Sequence, residues 1–137
     1  MNDVTAIQQL IAKLAIDADN AEIAEYLTSF TDDAVWEMDA NTDRGIPADR
    51  RVGRDDIAAS VQQRRGLRVQ GPGSGAVHHL TTQVVDVTGD EATGHVYYQF
   101  LRTVDGAPTL QTLGQYRDRY RRTADGWKVT HRRIVIG

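Results

Sequence analysis

The sequence has no cysteine, so a disulfide framework, a thiolate metal site and a cysteine nucleophile are all excluded. Nor does it open on a long apolar run: Met1 to Thr5 carry no basic stretch, and the apolar positions beyond are interrupted by Gln8, Gln9 and Lys13. Neither a signal peptide nor a membrane span is read, and the expectation is a cytoplasmic protein with no membrane partner. No two histidines stand at helical i, i+4 spacing, which leaves a histidine metal site without support. Asp39, Asn41 and Asp43 open like a calcium loop, but Arg44 takes the glycine position and Arg50 that of the closing glutamate, so that reading fails. Gly71-Pro72-Gly73-Ser74-Gly75 lacks both the lysine and the following helix of a phosphate-binding loop; it reads as a mobile loop, a candidate lid over a pocket mouth. No metal and no cofactor is expected.

What is present fits one domain over residues 1–137. A chain of 137 residues buries roughly two-thirds of its unfolded surface. With 40% hydrophobic and 26% charged residues, it belongs with ordinary globular proteins. The net charge of −3 argues against general nucleic-acid binding, although Arg117, Arg119, Arg121, Arg122, Lys128, Arg132 and Arg133 crowd the C-terminal part. No aromatic residues are interleaved on that arginine face for stacking, so no nucleic-acid partner is expected.

Ile7, Leu10, Ile11 and Leu14 keep the i, i+3, i+4, i+7 spacing of a helix face, with Thr5 and Gln8 in capping-box form. Ile23, Tyr26, Leu27 and Phe30 repeat that spacing after Asp19 and Asn20, either of which could cap a second helix. Ala34 to Met38 reads as a short strand, residues 39–53 as a polar loop, and Arg54 to Arg65 as a third helix with Ile57, Ala58 and Val61 on one side. Strand then follows strand: Ala76 to Val87, Ala92 to Val104, Thr109 to Arg122 and Trp127 to Ile136, separated by Thr88-Gly89-Asp90, Asp105-Gly106 and Asp125-Gly126 turns. Helices followed by an antiparallel meander indicate an α+β domain, three N-terminal helices on a curved, mainly antiparallel sheet.

Strand side chains change faces at every residue. Ala92, Gly94, Val96, Tyr98, Phe100 and Arg102 form one mostly apolar file that ends on a cation. Gly114, Tyr116, Asp118 and Tyr120 form another, opposite a wet file of Gln115, Arg117, Arg119 and Arg121.

Several phrases then resemble the SnoaL-like domains of the nuclear-transport-factor-2-like (cystatin-like) superfamily, whose relatives include ketosteroid isomerase, scytalone dehydratase, polyketide cyclases and bile-acid dehydratases. They are Asp19 ahead of Phe30-Thr31-Asp32-Asp33-Ala34-Val35-Trp36, then Gly53-Arg54, then His79 in a strand. Gly114-Gln115-Tyr116-Arg117-Asp118, Asp125-Gly126-Trp127-Lys128 and the closing Arg132 complete the set, over nearly the whole chain. The resemblance implies a cone-shaped domain, a small hydrophobic substrate or ligand as partner, and pairing as a homodimer through the open sheet face.

The same resemblance implies Asp19 and His79 as a catalytic pair. The chemistry is coherent: an imidazole titrates near neutral pH, and a carboxylate on its second nitrogen fixes the tautomer. His78 and His79 must face opposite sides of their strand, so at most one lines a given cavity; the resemblance selects His79. Trp36, Met38, Tyr98, Phe100 and Tyr116 would line an apolar pocket, with Arg102 and Arg132 as substrate-binding cations. Two alternatives stand beside this: Asp19, with Glu22 three residues on, as a simple helix cap, and a binding or assembly module without chemistry. Where scytalone dehydratase has a second catalytic histidine this chain has Arg102, which points away from dehydration and toward holding a carboxylate or an enolate oxygen.

Overall fold

The computed structural model describes residues 2–137. Helix α1 (Asp3–Asn20) starts earlier than the Thr5 signal suggests, because Asn2 caps it, its side chain accepting from the Thr5 N–H at 2.8 Å. Ile7, Ile11 and Leu14 form its buried stripe. Helix α2 (Ile23–Leu27) is short. Phe30, which extends its apolar spacing, instead begins the first strand, β1 (Phe30–Met38), fully buried with its ring 5.3 Å from Tyr26 in an edge-on contact. Helix α3 (Arg54–Gly66) buries Ile57, Ser60 and Val61.

Between β1 and α3, a stretch expected to be loop contains a 3-10 turn at Thr42–Arg44 and a short strand, β2 (Asp49–Val52), which pairs antiparallel with β1 from Val35↔Val52 to Met38↔Asp49. The long strands follow as expected: β3 (Ala76–Thr88), β4 (Glu91–Val104), β5 (Ala107–Thr123) and β6 (Gly126–Ile136). The six lie in the order β2-β1-β6-β5-β4-β3, all neighbours antiparallel except β1 and β6. The sheet is thus mixed, and its chain-terminal strand is central. Parallel pairing of β1 with β6 requires the intervening chain to travel around the whole sheet, which α3 and the β3–β5 meander do.

The helices cover one face, α1 against β3 and α3 against β1 and β2. Ala92, Val96, Tyr98, Tyr116, Tyr120, Trp127, Val129 and Ile134 meet the helical stripes in a single core. Arg117, Arg119 and Arg121 stay exposed, as the two-residue period predicts. Among the described residues, no helix is long and apolar enough to cross a membrane.

Candidate functional site

A cavity of about 350 Å³ lies between the covered face of the sheet and α1 and α3, within the range of small-molecule sites. Trp36, Met38, Tyr98, Phe100, Tyr116 and Arg132, all expected at a pocket, line it; Arg102 does not. Arg102 shares a register position with buried Ala76, so the file does carry it on the covered side, but it stands one inward step beyond Phe100 and falls outside the lining.

The histidine that meets Asp19 is His78, not His79. His78 Nδ1 lies 2.7 Å from Asp19 Oδ1, and the His78 backbone N–H donates to Asp19 Oδ2 at 3.0 Å. His78 lines the cavity with its ring 4.7 Å from that of Phe100. His79 is exposed on the opposite face, its ring 3.3 Å from Gln99. The physical reason is a bulge. Counting back by twos from Val85 and Val87, which pack on the core, reaches His79, but the register of β3 on β4 shifts between Leu80 and Thr82. The shift changes the phase, so Ala76, His78 and Leu80 face inward.

Asp19 does not cap α2, whose N-cap is Glu22 with no side-chain bond. It is buried in the last turn of α1, near a second buried acid, Asp17. Acids at a helix C-terminus oppose the helix dipole, and α1 has no basic residue in that turn. The compensating cation arrives from α3. Arg65 donates to the carbonyls of Ala21 at 2.7 Å, Ala18 at 3.3 Å and Asp17 at 3.4 Å. Buried Gly71 packs on the same side chain, where an added Cβ would sit 2.8 Å from Arg65 Cγ. The glycine-rich segment is therefore pinned beside the end of α1.

A carboxylate can only accept, so Nδ1 of His78 carries the hydrogen, and in the neutral ring it is Nε2 that holds the lone pair. Across the cavity, Tyr98 and Tyr116 stack with centroids 4.5 Å apart, and neither hydroxyl has a hydrogen-bond partner among the described residues. Burial pushes the Tyr98 hydroxyl up to about 12, against weaker opposing pulls from Arg44 and Arg132, and burial likewise holds Tyr116 well above the usual tyrosine range. Both remain donors near neutral pH.

Arg132 is buried, with its guanidinium 3.9 Å above the centre of the Tyr116 ring and both forks on Asp118, at 2.9 and 2.8 Å. Burial, the largest single influence, would lower its pKa; the charge and the hydrogen bonds of Asp118, helped by Tyr116 and Tyr120, together outweigh that and raise it. Tyr120 completes the network, donating to Asp118 at 2.7 Å. A further polar group escaped the sequence reading. Arg64 extends the α3 stripe of Ile57, Ser60 and Val61 by one more turn, hydrogen bonds to Ser60 Oγ and lies 4.8 Å over the Trp36 ring. Its position seven residues after Ile57 was the legible signal. Among the described residues, no group of His, Asp and Glu side chains is arranged to hold a metal ion.

A model of the SnoaL-like domain family matches residues 1–133. A nuclear-transport-factor-2-like protein with a cystatin-like fold from Novosphingobium aromaticivorans superposes with a TM-score of 0.82 at 25% identity, over 98% of this chain and 81% of that one. A cystatin-like fold protein from Nostoc punctiforme gives 0.80 at 16% identity, over 98% and 91%. A Catenulispora acidiphila protein solved in complex with S-DNPA gives 0.79 at 21% identity, over 97% and 92%. No curated protein sequence matches the chain.

Proposed function

The chain belongs to the SnoaL-like domain family, one with many cofactor-free isomerases and cyclases, and from that premise we propose a cofactor-free lyase or isomerase that moves a proton on a small hydrophobic carbonyl compound. The observation that carries the reading is the Asp19–His78 pair at 2.7 Å on the wall of an otherwise apolar cavity. His78 Nε2 takes a proton from the carbon next to the carbonyl, Nδ1–H stays bonded to Asp19, and the developing imidazolium is stabilised by that carboxylate. The electron pair left behind moves onto the carbonyl oxygen, where the Tyr98 and Tyr116 hydroxyls are the available donors. The proton then returns from Nε2 to a different carbon, or to a leaving hydroxyl if water is eliminated. A positioned base contributes about 10²- to 10⁴-fold to such a step. Trp36, Met38 and Phe100 exclude water from the reacting face.

The test is deuterium exchange at the α-carbons of 2-tetralone, followed by proton NMR. Exchange above the buffer rate that is lost in His78→Ala and Asp19→Asn supports the reading; exchange equal in wild type and His78→Ala overturns it. A second reading, a non-catalytic ligand-binding module, draws on one observation: Asp19 also accepts the backbone N–H of His78, so the pair could serve as a latch between α1 and β3. A latch alone predicts a lower melting temperature for Asp19→Asn with ligand binding but no exchange in wild type.

Pairing as a homodimer is part of the same proposal. Val84, Tyr97 and Leu113 leave apolar surface exposed on the uncovered sheet face, which a second copy would cover.

A further inference from the structure

We propose that the ligand of this cavity is an acid: a ring compound whose carboxylate is held by Arg64. The inference deepens the reading of the cavity as a substrate site and rests on it. Asp19 is held by His78; Asp49 is taken by Arg51 at 2.8 Å; Asp118 is shared by Arg132 and Tyr120. Arg132 is neutralised by that same Asp118. Arg64 alone lines the cavity as a cation with no ion pair among the described residues, its contacts being Ser60 Oγ and the face of Trp36.

A half-buried guanidinium with no carboxylate in direct contact is costly to keep charged. Cation–π contact with one indole and a hydroxyl bond offset only part of that cost. Most of the five N–H donors of Arg64 are left to serve something else, and their fork matches a carboxylate in bidentate fashion. The rest of the lining sets the remainder of the ligand. Trp36 and the Tyr98–Tyr116 stack offer flat apolar surfaces suited to a ring. A single unpaired cation, with the Asp49 carboxylate also lining the cavity, suits a monoanion and disfavours a phosphate dianion. With Arg102 outside the lining, Arg64 supplies the carboxylate-holding cation that the cavity needs.

The test compares acids with their neutral counterparts by titration calorimetry: indane-2-carboxylate and tetralin-2-carboxylate against the corresponding primary amides. Wild type should bind at least one acid about tenfold or more tighter than its amide, the scale of a charge-assisted bond. Arg64→Met should bring that ratio to within about twofold, and Arg64→Lys, which keeps the charge, should retain a ratio above about threefold. His78→Ala should preserve the wild-type ratio while losing exchange activity, so loss of proton transfer and loss of acid preference are read separately. Wild type binding the amides as tightly as the acids, or binding neither acid at millimolar concentration, overturns the inference without any variant. An unchanged ratio in a folded Arg64→Met overturns it as well.

Discussion

His78 and Asp19 meet twice, through the ring Nδ1 at 2.7 Å and through the His78 backbone N–H at 3.0 Å. The two bonds fix different things. The backbone bond sets where α1 ends against β3, and the ring bond sets which nitrogen of the imidazole is free. ¹⁵N-edited NMR should therefore find the neutral His78 ring in the Nδ1–H form. His78→Ala should lower kcat/KM by about 10²- to 10⁴-fold on any substrate found, while His79→Ala, on the outer face, should leave it within about twofold. The reverse ranking would return the role to His79.

The Asp118–Arg132 pair predicts a stability effect independent of catalysis. Both side chains are buried, and removing one partner leaves the other charge uncompensated, at a cost of about 3–5 kcal/mol. Urea unfolding of Asp118→Asn should show a loss of that order; Arg117→Gln, one residue away on the exposed file, should change little.

Gly114 predicts a packing limit. A Cβ there would lie 2.5 Å from the Val135 carbonyl oxygen and 2.8 Å from Tyr98 Cε1. Backbone cannot yield easily, so Gly114→Ala should destabilise the domain by about 1–3 kcal/mol. Because the second contact is a wall of the cavity, the same variant should weaken ligand binding, which calorimetry would detect.

Low pH should act partly through Asp3. Hydrogen bonds from Arg122 first, and from Trp127 second, hold its carboxyl down at about 2. A carboxyl whose folded pKa is depressed adds stability that is fully present above its unfolded value of 3.8 and is lost as pH falls through about 2. The melting temperature of wild type should accordingly fall more steeply between pH 4 and pH 2 than that of Asp3→Asn. Parallel curves would remove Asp3 from the acid response.

The proposed dimer is checked by sedimentation velocity. Tyr97→Lys combined with Leu113→Lys should convert a dimeric sample to monomers without lowering helix content by circular dichroism. A monomeric wild type would dismiss the pairing.

Legibility in the sequence followed the strength of periodicity. The long strands β3 to β6 were readable because their alternation runs for ten residues or more between turn signals, and α3 because its stripe and glycine-rich exit agree. Strand β2 was not, since Asp49-Arg50-Arg51-Val52 has no apolar alternation; its order comes from the backbone ladder to β1 and from the Arg51–Asp49 and Arg51–Asp56 contacts. The candidate site was readable in kind but not in phase. Aromatic lining and Asp19 followed from residue type and resemblance, yet the choice between His78 and His79 turned on one unpaired residue near Thr81, and a bulge leaves no mark on a two-residue period. Arg64 was hidden by its chemistry, because an arginine on a helix is ordinarily read as solvated even where it completes an apolar stripe.

The central place of β6 has a consequence for how the molecule comes into being. A ribosome delivers residues 126–136 after every other strand, and until they emerge the β1–β2 pair and the β3–β4–β5 meander have no shared edge. During that interval Asp118 waits without Arg132, and the cavity wall that Arg132 and Ile134 provide does not exist. Assembly of the site thus waits for β6 and is completed when that strand joins the two halves of the sheet. A nascent chain stalled short of β6 exposes two open strand edges at once, the condition under which chaperones are needed most.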